Sequence, residues 1–104
     1  SADVWAHQEL FRLDRNGRRS VQAGVPPDYF SATGQLWGNP IYRWDVLRAR
    51  HYDWWTARLR TEFGRFDAVR IDHFIGFHNY WEVPGRARSC DANGWPRRNA
   101  PPPT

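Results

Sequence analysis

The sequence predicts an α/β fold in which one helix leads into one parallel strand. Three observations carry this. Ile41, Trp44, Leu47, His51, Trp55, Leu59 and Phe63 recur at steps of three and four, a single apolar stripe along a helix over 40–63. Gly64 stands where a helix commonly ends in a left-handed residue. Phe66-Asp-Ala-Val-Arg-Ile-Asp-His-Phe74 then reads as a strand. Helix, glycine turn and strand make half of a βαβ repeat, whose strands run parallel and are buried on both faces.

The other elements follow in chain order. Residues 1–20 read as a short helical or irregular stretch anchored by Trp5, Leu10, Phe11 and Leu13, ending in an Asp14-Arg-Asn-Gly17 turn. Residues 23–40 read as a long loop, because Gly24, Pro26, Pro27, Gly34, Gly38 and Pro40 interrupt both helix and strand periods. This loop also holds Tyr29, Phe30, Leu36 and Trp37, too many large apolar groups for a solvated linker. A long aromatic loop of this kind lines or covers a site. Asn39 is placed to cap the helix, with Pro40 at its first position. Beyond Pro84 the composition turns to Gly, Arg, Asn and Pro without periodicity, so a disordered tail is expected over 85–104.

Composition narrows the function classes. The net charge of +4 is concentrated at one end: residues 1–84 carry eleven Arg against ten acids, and the last twenty carry four Arg against Asp91. The excess is a property of the tail rather than a binding face, which argues against a nucleic-acid partner. No apolar run approaches the length of a membrane span. Cys90 is the one cysteine, so no internal disulfide is expected, and the spacing of His7, His51, His73 and His78 is not that of a metal site. No glycine-rich phosphate motif is present, and no cofactor is expected. The start at Ser1, without Met, fits a cut-out piece of a longer chain or removal of an initiator Met.

The predicted strand carries the chemistry. Side chains alternate along a strand, so Arg70 and Asp72 share one side while Val69 and Ile71 share the other. In a barrel the charged pair would face the interior near the carboxyl end, where barrel active sites lie. A charge there is costly unless paired, and Arg70 supplies the counter-charge. Such a pair is either a positioned nucleophilic carboxylate or a buried ion pair with no catalytic duty. His73 is either a ligand contact or a satisfied core histidine. Trp37, Tyr29 and Phe30 either stack on sugar rings or simply pack. Trp44, Trp54 and Trp55 read as core rather than ligand-stacking rings, since helical spacing explains Trp44 and Trp55.

Together these residues resemble a known family. The run from Ala23 through Gly-Val-Pro-Pro-Asp-Tyr-Phe-Ser-Ala-Thr-Gly-Gln-Leu-Trp-Gly-Asn-Pro-Ile-Tyr-Arg to Trp44 is similar to a signature of the amylomaltases, or disproportionating enzymes, which are 4-alpha-glucanotransferases. So are Val69-Arg-Ile-Asp-His-Phe-Ile-Gly-Phe77 and Tyr80-Trp-Glu-Val-Pro84, as well as the opening Ser-Ala-Asp-Val-Trp-Ala. The resemblance covers residues 1–84 and implies part of a (β/α)8 TIM barrel. The implied activity is retaining transfer of an α-1,4-glucan segment to a sugar hydroxyl, without a redox cofactor. It implies maltooligosaccharides or α-1,4-glucans as partners, neither nucleic acid nor membrane, and a cytoplasmic setting.

By position the resemblance makes Asp72 the nucleophile and Arg70 and His73 contacts to sugar or nucleophile. It places Trp37 near the cleavage site, with Tyr29 and Phe30 in a loop beside the glucan groove. The family's acid/base Glu and a further catalytic Asp come from later strands, and Glu82 is not that acid, since it follows Asp72 on the same loop. Residues 1–84 are therefore expected to be a fragment of a catalytic barrel that is inactive and folds poorly alone, with a noncatalytic carbohydrate-binding remnant as the alternative. The change of character after Pro84 fits a frameshift in a GC-rich gene.

Overall fold

The structure, a computed structural model, describes residues 1–88 together with the backbone of 95–98. Helix α1 (Ala2–Ala6) and a 3-10 turn at Gln8–Leu10 lead into strand β1 (Val21–Val25). Strand β2 (Gln35–Pro40), helices α2 (Trp44–Ala49) and α3 (Asp53–Arg65), a 3-10 turn at Phe74–Phe77 and strand β3 (Asn79–Pro84) follow. Strand β4 (Trp95–Arg98) closes the order. The strands form one antiparallel sheet in the order β2-β1-β3-β4. Among the described residues no helix is long and apolar enough to cross a membrane.

The opening segment behaves as its residues dictate. Ser1 caps α1 through Val4 N–H. The Asp14 carboxylate accepts from the amides of Asn16 at 2.8 Å and Arg18 at 3.0 Å, while Gly17 takes φ 75°. These two amides, Arg18 first, hold the Asp14 carboxyl below its ordinary value. Leu10 and Phe11 are buried as expected, but Trp5 is 81% exposed and anchors nothing among the described residues.

The segment 23–40 corrects the expectation of an irregular loop. Its two ends are strands, and the turn residues between them close a hairpin. Gly34 has φ 72°, and a Cβ there would meet the Val25 carbonyl oxygen at 2.3 Å, so only glycine fits. The β1–β2 register shifts between Gln22 and Gly24, and Gly38 with φ 78° sits in the longer β2 path opposite. The Arg19 guanidinium donates to the Gly38 carbonyl there.

The helix over 40–63 is also corrected. Asn39 and Pro40 end β2, with Pro40 paired to Gln22, and so do not start a helix. His51 and Tyr52 both adopt left-handed backbone, φ 55° and 57°, and split the helical region into α2 and α3. Left-handed conformation in two successive non-glycine residues ends an α-helix. Helix α3 then runs through Gly64 to Arg65, so Gly64 is not its terminal residue. The apolar stripe still packs inward at its first half. Leu47 joins Leu10 and Phe11 in a buried cluster, with Trp44, Trp54 and Trp55 half-buried against it.

Residues 66–74 are the ones expected to form a buried parallel strand. They make no ladder among the described residues, and Phe66 and Ile71 stand exposed. A strand buried on both faces needs a neighbour on each edge, and the described residues supply none. Within the stretch after Pro84, Trp95–Arg98 pairs with β3 from Asn79↔Arg98 to Glu82↔Trp95. Edge pairing needs backbone groups rather than apolar periodicity, and it tolerates Pro96. The rest of the expected tail, 89–94 and 99–104, lies outside the described residues.

A second cluster, Val21, Ala23 and Ile41 with Tyr80 against it, joins the sheet to the start of the helical region. Beside it lies Glu82 of β3, 2% exposed and ion-paired with Arg12, whose side chain is 26% exposed. This contact ties the opening segment to the sheet. Removing one partner of a buried pair is costly because the other charge stays buried. Arg12→Ala is expected to cost about 3 kcal/mol, and Glu82→Gln less, since Arg12 reaches water. Urea denaturation of the two variants measures the difference.

Candidate functional site

Residues 70–80 bring the candidate chemistry together. Arg70 and Asp72, on the same parity, form a two-pronged pair: Nε to Oδ1 at 2.9 Å and Nη2 to Oδ2 at 3.2 Å. Their side chains are 87% and 77% exposed, so both charges face water in the described residues instead of lying buried in an interior. The alternating positions predicted the pairing correctly. The expected burial is not seen.

Asp72 and His73 open onto a cleft of about 100 Å³ walled by the rings of Tyr42, Trp44, Trp55, Phe77 and Tyr80. Asp72 is the one carboxylate among the described residues lining it. Trp44 and Trp55 lie parallel with centroids 6.5 Å apart, and Phe77 meets Trp55 edge-on at 5.0 Å. Their indole N–H groups are buried without a hydrogen-bond partner among the described residues. His73 takes φ 52° and begins the turn at Phe74–Phe77. Its ring meets Trp37 edge-on at 4.8 Å and Tyr80 at 5.1 Å. Burial, followed by the neighbouring Tyr42, pushes the Tyr80 phenol above its ordinary value, so at neutral pH it remains a neutral group.

Trp37 reaches this site from β2, not from a loop, and its Nε1 donates to Gln35 Oε1 at 3.0 Å. The structure therefore gathers four expected residues: Arg70, Asp72, His73 and Trp37. Tyr29 and Phe30 stand apart at the hairpin tip, 105% and 95% exposed, and neither lines the cleft. Tyr29 borders a shallow depression with Pro27, Asp28 and Ala32. Glu82 points elsewhere, into its contact with Arg12.

Several lining residues were not singled out from sequence. Trp44 and Trp55 were assigned to the core, and they serve both core and cleft. Tyr80 arrives through the β1–β3 pairing, which local pattern does not reveal. Gly76 had a readable signal: a lone glycine inside an apolar run marks a close approach.

The comparisons with known proteins agree with one another. The family profile described as 4-alpha-glucanotransferase matches residues 1–100, so the match runs past Pro84. The 4-alpha-glucanotransferase of Thermus thermophilus is 55% identical over 95 residues, 91% of this chain and 19% of the relative. That of Synechocystis is 52% identical over 96 residues, again 91% of this chain and 19% of the relative. A solved amylomaltase from Streptococcus agalactiae, in complex with acarbose, superposes with a TM-score of 0.88 at 45% identity, covering 94% of this chain and 20% of that one. The chain thus spans about a fifth of the length of these relatives. With its motifs, its sheet and its Asp72 cleft all falling within that match, the chain belongs to the 4-alpha-glucanotransferase family.

Proposed function

We propose that this chain forms part of a (β/α)8 barrel enzyme that transfers α-1,4-glucan segments between sugars with retention, and that Asp72 is its nucleophile. The observation that supports this best is the position of Asp72: it is forked by Arg70, next to His73, at the mouth of an aromatic cleft. Aromatic faces match the axial C–H faces of glucose, and a carboxylate beside them is placed to attack an anomeric carbon.

In this reading the Asp72 carboxylate bonds to the anomeric carbon of the donor sugar as the glycosidic C–O bond breaks. The leaving oxygen takes a proton from a carboxylic acid. The acceptor hydroxyl then attacks the glycosyl-enzyme ester, its proton returns to that acid's carboxylate, and Asp72 is released. Arg70 holds the Asp72 oxygens in one orientation throughout. A retaining enzyme keeps the two carboxyl groups about 5 Å apart. Asp72 has no such neighbour among the cleft-lining residues, and Glu82 is engaged by Arg12. The acid therefore comes from outside the described residues. The same observation favours a second reading for the isolated chain, a noncatalytic carbohydrate-binding piece.

Asp72→Asn in a full-length enzyme carrying this segment is expected to lower disproportionation of maltotriose by on the order of 10⁴-fold. The melting temperature should hardly change, since Asn keeps the size and shape of the Asp side chain. Product chromatography reads the activity, and near-normal transfer would overturn the assignment. Trp37→Ala in the same enzyme should weaken transfer more than folding, by about tenfold for a lost stacking ring worth on the order of 1 kcal/mol. A large fall in melting temperature with unchanged kinetics would make Trp37 a packing residue instead. The isolated 104-residue chain should release no glucose from maltotriose. Measurable release would show that the acid lies within it.

A further inference from the structure

His73 occupies a backbone state that a side chain does not adopt by preference. Its φ is 52°, in the left-handed region that non-glycine residues disfavour. Such a residue persists where its surroundings hold it, and here it directly follows Asp72. Two rings hold it: Trp37 from β2 at 4.8 Å and Tyr80 from β3 at 5.1 Å.

A third contribution is the missing side chain at Gly76. This glycine is buried, and its φ lies outside the left-handed range, so its backbone does not itself require glycine. A Cβ at this position would stand 2.8 Å from His73 Cδ2, 2.9 Å from Tyr80 Cε2 and 2.9 Å from the Tyr80 hydroxyl oxygen. These separations are shorter than real Cβ contacts, so one of the two rings would have to move. Gly76 also donates its N–H to the His73 carbonyl at 2.9 Å. One residue thus ties down the His73 backbone and leaves the space in which the imidazole and the phenol ring meet.

We propose that Gly76 and Tyr80 are positioning residues that fix the His73 ring, and through it the Asp72–His73 peptide, at the angle from which Asp72 faces the cleft. This rests on the reading of Asp72 as nucleophile. Both line the cleft, and in this reading each acts on Asp72 through His73. A displacement of about 1 Å in a reacting group lowers a rate by up to about a hundredfold, so crowding His73 from Gly76, or removing the ring that backs it, slows the chemical step. Sugar binding, spread over the other rings of the cleft, is less affected.

The test uses a full-length enzyme carrying this segment, with maltotriose as donor and acceptor. Gly76→Ala and Tyr80→Leu should each lower kcat about 30- to 100-fold while KM stays within about threefold. Tyr80→Phe, which keeps the ring, should restore kcat to within about threefold. Should Gly76→Ala fail to fold, the contrast between Tyr80→Leu and Tyr80→Phe decides alone. Unchanged kcat in Tyr80→Leu, or a fall that Tyr80→Phe shares equally, overturns the proposal. So does a rise in KM at constant kcat. If Asp72→Asn is silent in the same assay, the nucleophile reading stands even where the positioning role fails. If Asp72→Asn is active, the nucleophile reading itself fails and takes the positioning role with it.

Discussion

Strand β1 is the constraint on which the rest of the structure depends. Val21, Gln22, Ala23 and Gly24 are all buried, so the strand is covered on both faces and paired on both edges. Its antiparallel partners are far apart in sequence: β2 follows directly and β3 arrives more than fifty residues later. By holding both, β1 brings Trp37 and Tyr80 to the His73 ring. The long excursion through α2 and α3 packs Trp44 and Trp55 against the same site before residues 70–78 bring His73 back to Trp37 and Tyr80. Gln22 reinforces the arrangement, since its side-chain amide donates to the carbonyls of Pro84 at 2.9 Å and Ala87 at 3.1 Å.

The aromatic residues serve two structures at once. Trp44 and Trp55 pack against Leu10, Phe11 and Leu47, and the same rings wall the cleft beside Asp72. Tyr42 stacks on Phe11 at 4.7 Å and also meets Trp44 and Trp55. The cleft has no separate scaffold. Its walls are the outer surface of the small core, so its shape is as rigid as that packing.

How much of this was legible in the sequence differed from element to element. The Arg70–Asp72 pair was readable because parity along an extended chain is a local property, and the two side chains do meet at 2.9 Å. The apolar stripe from Trp44 to Trp55 was readable as packing. The left-handed pair at His51 and Tyr52 was not, since His51 falls on the stripe and Tyr52 beside it, and the period stays intact. Glycines at 34 and 38 argued for a loop when counted as breakers. Each in fact meets a local requirement of a hairpin, one at its turn and one at the register shift. Tyr80 entered the site only through long-range pairing, which a local pattern does not encode, whereas the lone Gly76 inside an apolar run did mark a close approach.

The hairpin tip carries one further consequence. The Asp28 carboxylate accepts from the amides of Phe30 and Ser31, both at 2.9 Å, and the Ser31 hydroxyl donates to the Gly34 carbonyl at 2.7 Å. Pro26 and Pro27 stiffen the approach to it. Tyr29 and Phe30 therefore project from a braced backbone even though their rings are almost wholly in water. The conformational entropy of that segment is already spent in folding. A partner meeting these rings would freeze only their two side-chain torsions each, so the tip is preorganised and adds little of the ordering penalty that a slack loop would bring to an encounter.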